Sequence, residues 1–460
     1  MIKLYNSLTR RLEELKPINE GQVKMYTCGP TVYYYPHIGN MRAYIFMDTL
    51  RRVIKYNGYN ITGVMNITDV GHLTDDGDNG EDKMEKMAKK TQKSPYKIAK
   101  FYTDIFFSDL EKLCVDVPEH ITKATEYIPQ MIKFVQRLEE RGYTYIIDDG
   151  VYFDVSKFKG YGQLSNKDMD TVGIARVEEN TQKHHPFDFA LWKFVPDEHI
   201  MKWDSPWGVG CPGWHIECSA MSGDILGDRF DIHTGGIDHK SIHHENEIAQ
   251  NDCAFGHQVV NAWLHNEFVL VDGGKMSKSL NNIYTISQLD EMGYEPLAYK
   301  FFCLNTNYTK KINFTFDGLK AAQASLINLR KILKEHKGKP AKIASEVLDK
   351  YKAEFLEAIN DNLNTPLALG VLFSMVKNEE KSNDIYELAM QFDRVFAVGL
   401  SREVEEEVVD IPEDIRALAE LRWEAKKNKD WTNADKYRNE IQEKGYVILD
   451  SKDGYKIEKK

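Results

Sequence analysis

Apolar positions along the chain change period several times, and each change marks an element. Residues 23–26 are a short strand-like run. Ile45, Phe46, Leu50, Val53 and Ile54 then recur at helix spacing, and residues 61–65 form a second strand-like run. Residues 1–120 alternate in this way, which predicts a parallel α/β sheet. Asn66-Ile67-Thr68-Asp69 closes the second strand, at the carboxyl edge where such sheets bind ligands. Residues 74–90 read as a polar, acidic loop leading into a helix.

Residues 127–140 place Ile128, Met131, Val135 and Leu138 on one helical stripe. Alternating runs at 143–147 and 151–155 flank Asp148-Asp149-Gly150 and predict a hairpin. Residues 160–185 read as irregular, and the whole stretch as an insertion between two halves of the sheet domain. The sheet pattern resumes near Trp214. Residues 230–233 read as a strand end, Thr234-Gly235-Gly236-Ile237-Asp238 as a glycine turn, 243–254 as a helix and 264–271 as one strand. After Pro296 the pattern is helical almost to residue 400, clearest at 319–333 and 385–396, and predicts a bundle. An acidic link at 403–407 precedes a unit of two helices and a hairpin around Gly454.

At 460 residues the chain has room for two to four domains with real cores. Its formal charge of −11 excludes a globally basic nucleic-acid binder, so any RNA contact must use local patches. From Leu421 onward the balance reverses, with 11 Lys/Arg against 8 Asp/Glu, and Trp423 and Trp431 sit among those charges. Six sparse cysteines fit a reducing compartment better than a disulfide framework. The opening residues lack a signal-peptide core and no run approaches a membrane span, so a soluble cytoplasmic protein is expected.

The first strand leads through Cys28-Gly29-Pro30 to His37-Ile38-Gly39-Asn40 at a helix start. A helix start offers free backbone N–H groups and partial positive charge, which suits a nucleotide phosphate. His37 and Asn40 add side-chain donors, and Gly39 lets a base or ribose lie close to the backbone. Much later, Asp272-Gly273-Gly274 hinges Lys275-Met276-Ser277-Lys278-Ser279, whose lysines and interleaved hydroxyls suit a triphosphate. Either stretch alone is weak; the two in this order argue against a solvated His and a solvated basic turn. His243 and Glu247 lie four apart on one helix face. With Cys28 and Cys218 they make a tetrahedral Zn²⁺ donor set. Cys211 and His244 compete for the same places, and spacing across three distant segments does not choose.

The two phosphate stretches resemble the HIGH and KMSKS signatures of class I aminoacyl-tRNA synthetases. CGPTVYYYPHIGN, NITD, GWHIECSAM, DIH followed by a glycine pair and Asp238, HHENEIAQ, WLHNEF and KMSKSL together resemble the cysteinyl-tRNA synthetase family, over residues 20–285. The resemblance implies one Zn²⁺ per chain on Cys28, Cys218, His243 and Glu247, and a substrate pocket of Thr68, Trp214, His233 and Asp238. It implies ATP contacts at His37, Gly39, Asn40, Lys275 and Lys278, all but Gly39 catalytic, with Mg²⁺ accompanying ATP. The implied activity is ATP-dependent activation of L-cysteine and its transfer to the 3′ end of tRNA(Cys), with zinc reading the thiol. The alternative is a cysteine ligase that acylates an amino-sugar through the same adenylate. A monomer with no membrane partner is expected.

The implied organisation is a Rossmann-like parallel-sheet catalytic domain split by an insertion, then an α-helical bundle and a small C-terminal domain. In residues, the sheet domain's first half is 1–120, the insertion 121–210 and the second half with the zinc site 211–270. The lysine loop and stem-contact region is 271–318, the tRNA-binding bundle 319–402 and the anticodon-binding domain 411–460. Four departures from the family pattern stand out, one of them Cys211, an extra thiol at a variable position that is read as structural or incidental. Asn40 replaces the usual final His of the first signature, residues 237–242 replace the common lead-in to HHENE, and Asn281 replaces a usual Gly.

Overall fold

The computed structural model describes residues 1–71, 83–166, 181–277, 280, 282–404, 411–451 and 454–459. The chain divides into two compact units, residues 1–402 and 403–460. In the first, a hairpin of β1 (Lys3–Asn6) and β2 (Arg11–Glu14) precedes β3 (Gln22–Thr27), α1 (Ile38–Tyr56) and β4 (Asn60–Ile67). Helices α2 (Lys83–Thr91) and α3 (Pro95–Lys112) cross to β5 (His120–Lys123). Then come α4 (Ile128–Glu140), β6 (Thr144–Ile147), β7 (Gly150–Phe153), β8 (Phe189–Phe194) and β9 (Gly210–Pro212). The chain returns through α5 (Ile216–Leu226), β10 (Phe230–Gly236), α6 (His243–Phe255) and β11 (Val260–Asn266). Next are β12 (Val269–Val271), β13 (Gly274–Lys275), α7 (Ile286–Glu291), α8 (Pro296–Leu304) and β14 (Ile312–Phe314). Helices α9 (Phe316–His336), α10 (Ser345–Asn360), α11 (Thr365–Asn378) and α12 (Asn383–Phe396) complete it.

The central sheet runs β11-β10-β3-β4-β5, all parallel. From β3 the order grows through β4 to β5 on one side and through β10 to β11 on the other. The carboxyl ends of β3 and β10 therefore flank the point where the order reverses, the place where open α/β sheets bind ligands. One apolar core joins α1 to the bundle helices; a second fills the opposite face with α4, α5 and α6. In α9, Leu319, Ala322, Leu326, Leu329 and Leu333 bury one stripe, and Thr315 caps the start by accepting from Gly318 N at 3.0 Å.

Four expectations need correction. Residues 230–236 form one strand with no turn at the glycine pair, and Gly235 and Gly236 pair in register with His265 and Asn266. Glycine is needed there for clearance, since a Cβ on Gly235 would lie 2.6 Å from His244 Cε1. The expected strand 264–271 is two strands. Buried Arg42 donates to the carbonyls of Glu267 and Phe268, both at 2.7 Å, and draws the link away from the sheet. The helical stretch after Pro296 is broken by β14, which pairs with β12. The hairpin turn is Asp148-Asp149, because Gly150 already pairs with Ile147, and β8 and β9 extend that hairpin to four strands. The acidic loop at 74–82 and most of the irregular stretch at 160–185 lie outside the described residues.

The second unit contains α13 (Glu413–Lys427), α14 (Trp431–Glu443) and the hairpin β15 (Tyr446–Ser451) and β16 (Gly454–Lys459). Its small core is Ile415, Ala419, Ile441 and Ile448. Among the described residues no helix is long and apolar enough to cross a membrane.

Candidate active site and metal centre

Cys28 follows β3 directly, and its backbone N–H donates to Thr234 O at 3.1 Å, fixing it between β3 and β10. Gly29 N donates to Asn66 Oδ1 at 2.7 Å, and a Cβ there would lie 1.5 Å from Asn66 O, so only glycine passes. Cys218 comes from the first turn of α5, and His243 and Glu247 from one face of α6. One ligand atom from each of Cys28, Cys218, His243 and Glu247 lies within 4.8 Å of all the others, and all four residues are buried. Cys28 Sγ is 3.9 Å from Cys218 Sγ, Cys218 Sγ 3.5 Å from His243 Nε2, and His243 Nε2 3.1 Å from Glu247 Oε1.

A second group overlaps the first: Cys28, His233, His244 and Glu247 also bring their ligand atoms within 4.8 Å. His244 Nε2 lies 3.3 Å from Cys28 Sγ, and His233 Nε2 2.8 Å from Glu247 Oε2. Of the two rival ligands expected from spacing, His244 therefore enters a cluster. Cys211, on β9, enters neither cluster among the described residues. Further imidazoles orient these. His215 Nδ1 lies 2.9 Å from His243 Nδ1, and His244 Nδ1 lies 2.8 Å from His265 Nε2.

The donor chemistry fits a thiophilic cation. With only protein around them, burial pushes the Cys218 thiol up to about 11 and Cys28 well above its ordinary value, and the Glu247 carboxylate adds to both. Two thiols against a fully buried carboxylate are an unfavourable group until a divalent charge joins them and reverses that balance.

Of the expected pocket residues, Thr68, Trp214 and His233 adjoin this centre. Thr68 is buried; its hydroxyl donates to Glu217 Oε2 at 2.6 Å and accepts from Asn66 Nδ2 at 3.0 Å. Trp214 packs its ring 4.5 Å from that of His243, and His233 stacks on Trp263 at 4.4 Å. Asp238 is exposed and turns its carboxylate back toward Gly236. Sequence reasoning missed Asn66, Glu217, His215 and His265, although all four lie inside the motifs NITD, GWHIECSAM and WLHNEF.

The two phosphate stretches meet. His37 caps α1: its Nδ1 accepts from Asn40 N at 3.2 Å, while Asn40 Oδ1 accepts from His37 N at 3.1 Å. With Nδ1 accepting, His37 carries its proton on Nε2 and presents a donor there. Asn40 thus replaces the usual His by closing a capping box. Ile38 N donates to Tyr284 O at 2.9 Å, tying α1 to the segment after the lysine loop. Within that loop Asn282 clamps both sides, accepting from Ser277 N at 2.8 Å and donating to Lys275 O at 3.2 Å. Lys275 is exposed; Lys278 and Asn281 lie outside the described residues.

The chain matches the class I (C) tRNA synthetase catalytic domain over residues 14–324 and the DALR domain over 354–397. It is 43% identical to cysteine–tRNA ligase 1 of Burkholderia lata across 99% of this chain and 96% of that one. It is 40% identical to the cysteine–tRNA ligase of Borrelia hermsii over the whole of both. These names favour tRNA charging over the amino-sugar alternative. Among solved structures, methionyl-tRNA synthetase of Mycobacterium tuberculosis, in complex with methionyl-adenylate, shares the fold at a TM-score of 0.56 and 14% identity, covering 82% of this chain and 90% of that one. The catalytic-domain match and full-length identity agree with the site's motifs: the chain belongs to the cysteine–tRNA ligase family of class I aminoacyl-tRNA synthetases.

Proposed function

We propose that this chain activates L-cysteine with ATP, in the presence of Mg²⁺, and passes it to the 3′ end of tRNA(Cys). The observation that carries the reading is the buried cluster of Cys28, Cys218, His243 and Glu247 at the sheet's switch point, in the same domain as the meeting phosphate loops. Two thiols, an imidazole and a carboxylate are a softer set than the overlapping group with one thiol, so they are the residues to hold zinc. Zinc bound there would supply a thiophilic Lewis acid that tells the substrate's sulfur from a serine oxygen.

The chemistry asked of the chain's own residues is positioning. The substrate carboxylate is already a nucleophile for the α-phosphorus, so the step needs no general base. It needs donors aimed at the phosphates as charge moves onto them. His37 Nε2–H and the N-terminus of α1 offer donors from one side, Lys275 is on the loop whose Met276 closes on Gly39, and Lys278 follows it in sequence. Asn40 orients His37 through the capping box, and its amide nitrogen remains a donor. Cysteine-dependent ATP–pyrophosphate exchange, run beside a charging assay with tRNA(Cys), tests the reading. Exchange with charging supports it, exchange without charging selects the amino-sugar ligase, and absence of exchange removes both.

A further inference from the structure

Between residues 86 and 100 this acidic chain carries six lysines and no acidic residue. All six lysines are exposed, on α2, the following turn and the start of α3. Against this basic corner lies a group of solvent-facing rings: Tyr34 is 39% exposed, Tyr35 43%, Tyr96 50% and Phe101 46%. Tyr35 stands edge-on to Phe101 at 6.3 Å and to Tyr102 at 5.1 Å, and Lys93 Nζ is 5.6 Å from the Phe101 ring centre. Tyr35 is two residues before His37. Because α3 follows β4 and runs back toward β5, its first turns lie at the carboxyl edge of the sheet. The patch is thus on the rim of the candidate active site, and none of its residues belongs to the metal cluster.

We infer that this aromatic and lysine rim is the landing site for the unpaired nucleotides at the 3′ end of the tRNA. The inference rests on the proposed function and specifies where the second substrate enters. Three features fit that occupant together. Exposed ring faces accept stacked bases of any sequence. A cluster of exposed lysines, of which Lys100 also pairs with Asp104 at 2.7 Å, neutralises a phosphate chain. The position beside His37 is where a terminal ribose must arrive to receive an acyl group. A folded duplex offers phosphates but no base faces, so it uses the lysines and leaves the rings idle.

The test compares intact tRNA(Cys) with the same tRNA lacking its unpaired 3′ nucleotides, using full-length wild-type protein, Phe101→Ser, Phe101→Trp and the double variant Lys93→Gln/Lys97→Gln. Phe101→Ser should weaken binding of intact tRNA by about fivefold or more, and Phe101→Trp should restore it. The double variant should flatten the dependence of log affinity on log salt by about 1.4, as expected for two lysines on single-stranded phosphates. All four proteins should bind the shortened tRNA alike and keep cysteine-dependent pyrophosphate exchange. The double variant alters only exposed side chains, so it decides the matter if Phe101→Ser fails to fold. Equal losses on intact and shortened tRNA, or no loss on either, would overturn the assignment. A wild-type protein without exchange instead overturns the function on which it rests.

Discussion

Met276 closes on Gly39: a Cβ added at Gly39 would lie 2.4 Å from the Met276 methyl carbon. Gly39 is in the first turn of the signature helix, and Met276 sits inside the lysine loop, so this contact joins the two phosphate stretches.

Gly39→Ala should therefore displace the lysine loop without harming the helix. The nearest atom is the end of a flexible side chain, the capping His37 ring lies next at 3.0 Å, and alanine is a better helix former by about 0.5–1 kcal/mol, which offsets the crowding at that cap. We expect thermal stability unchanged or raised, a slower single-turnover rate of adenylate formation and a weaker affinity for ATP. Lys278→Ala, at the far end of the loop, should slow that rate by ~10²–10³-fold with a smaller effect on cysteine affinity. A Gly39→Ala rate equal to wild type would separate the contact from catalysis, and an unchanged Lys278→Ala rate would remove that lysine.

Metal content distinguishes the two overlapping donor sets. Cys218→Ser and His243→Ala should lose zinc more severely than His215→Ala, which removes an orienting partner only and should cost ~10–100-fold in affinity. His244→Ala should retain zinc. Mass-spectrometric metal analysis of the purified variants checks this; zinc lost with His244→Ala and kept with Cys218→Ser assigns the ion to the other set. Removing the metal from wild type should abolish cysteine binding and leave ATP binding, since the phosphate loops use different residues. Loss of both ligands together would indicate a purely structural ion.

Asp109 on α3 should make stability fall as pH rises. It is 1% exposed, accepts from Ser287 Oγ at 3.4 Å, and its Oδ2 has no hydrogen-bond partner among the described residues. Burial pushes its carboxyl up to about 6, against the opposing pull of Lys112 and the Ser287 hydrogen bond. A folded-state value above the unfolded one means stability that is complete below about 4 and lost as pH rises through about 6. Relative to Asp109→Asn, wild type should lose on the order of 3 kcal/mol across that window. Urea midpoints of both proteins from pH 4 to pH 7.5 measure it; parallel curves would show that Asp109 ionises freely.

The unit after residue 403 should serve tRNA affinity and not activation. From Leu421 onward its balance is positive, Trp431 is 59% exposed, and Lys427 Nζ lies 5.4 Å from the Trp423 ring. Truncation after Glu403 should leave pyrophosphate exchange intact and raise the KM for tRNA in charging. Equal tRNA affinities for the two lengths would place recognition elsewhere.

The sequence by itself determined what depends on local order. The strand, loop and helix around His37, the α6 face shared by His243 and Glu247, and the terminal hairpin all follow from apolar period and turn residues read over short windows. Tertiary structure alone decided what depends on contacts between distant segments. Gly235 reads locally as a turn; it is a strand residue because it pairs with His265 on β11, and it is glycine because His244 passes close to it. The run at 264–271 looks continuous and is split by Arg42, more than 200 residues earlier, drawing two of its carbonyls aside. Cys28, Cys218 and Glu247 carry no mutual spacing signal. They converge because β3 and β10 become neighbours across a parallel sheet, and that pairing also brings His244 in and leaves Cys211 out.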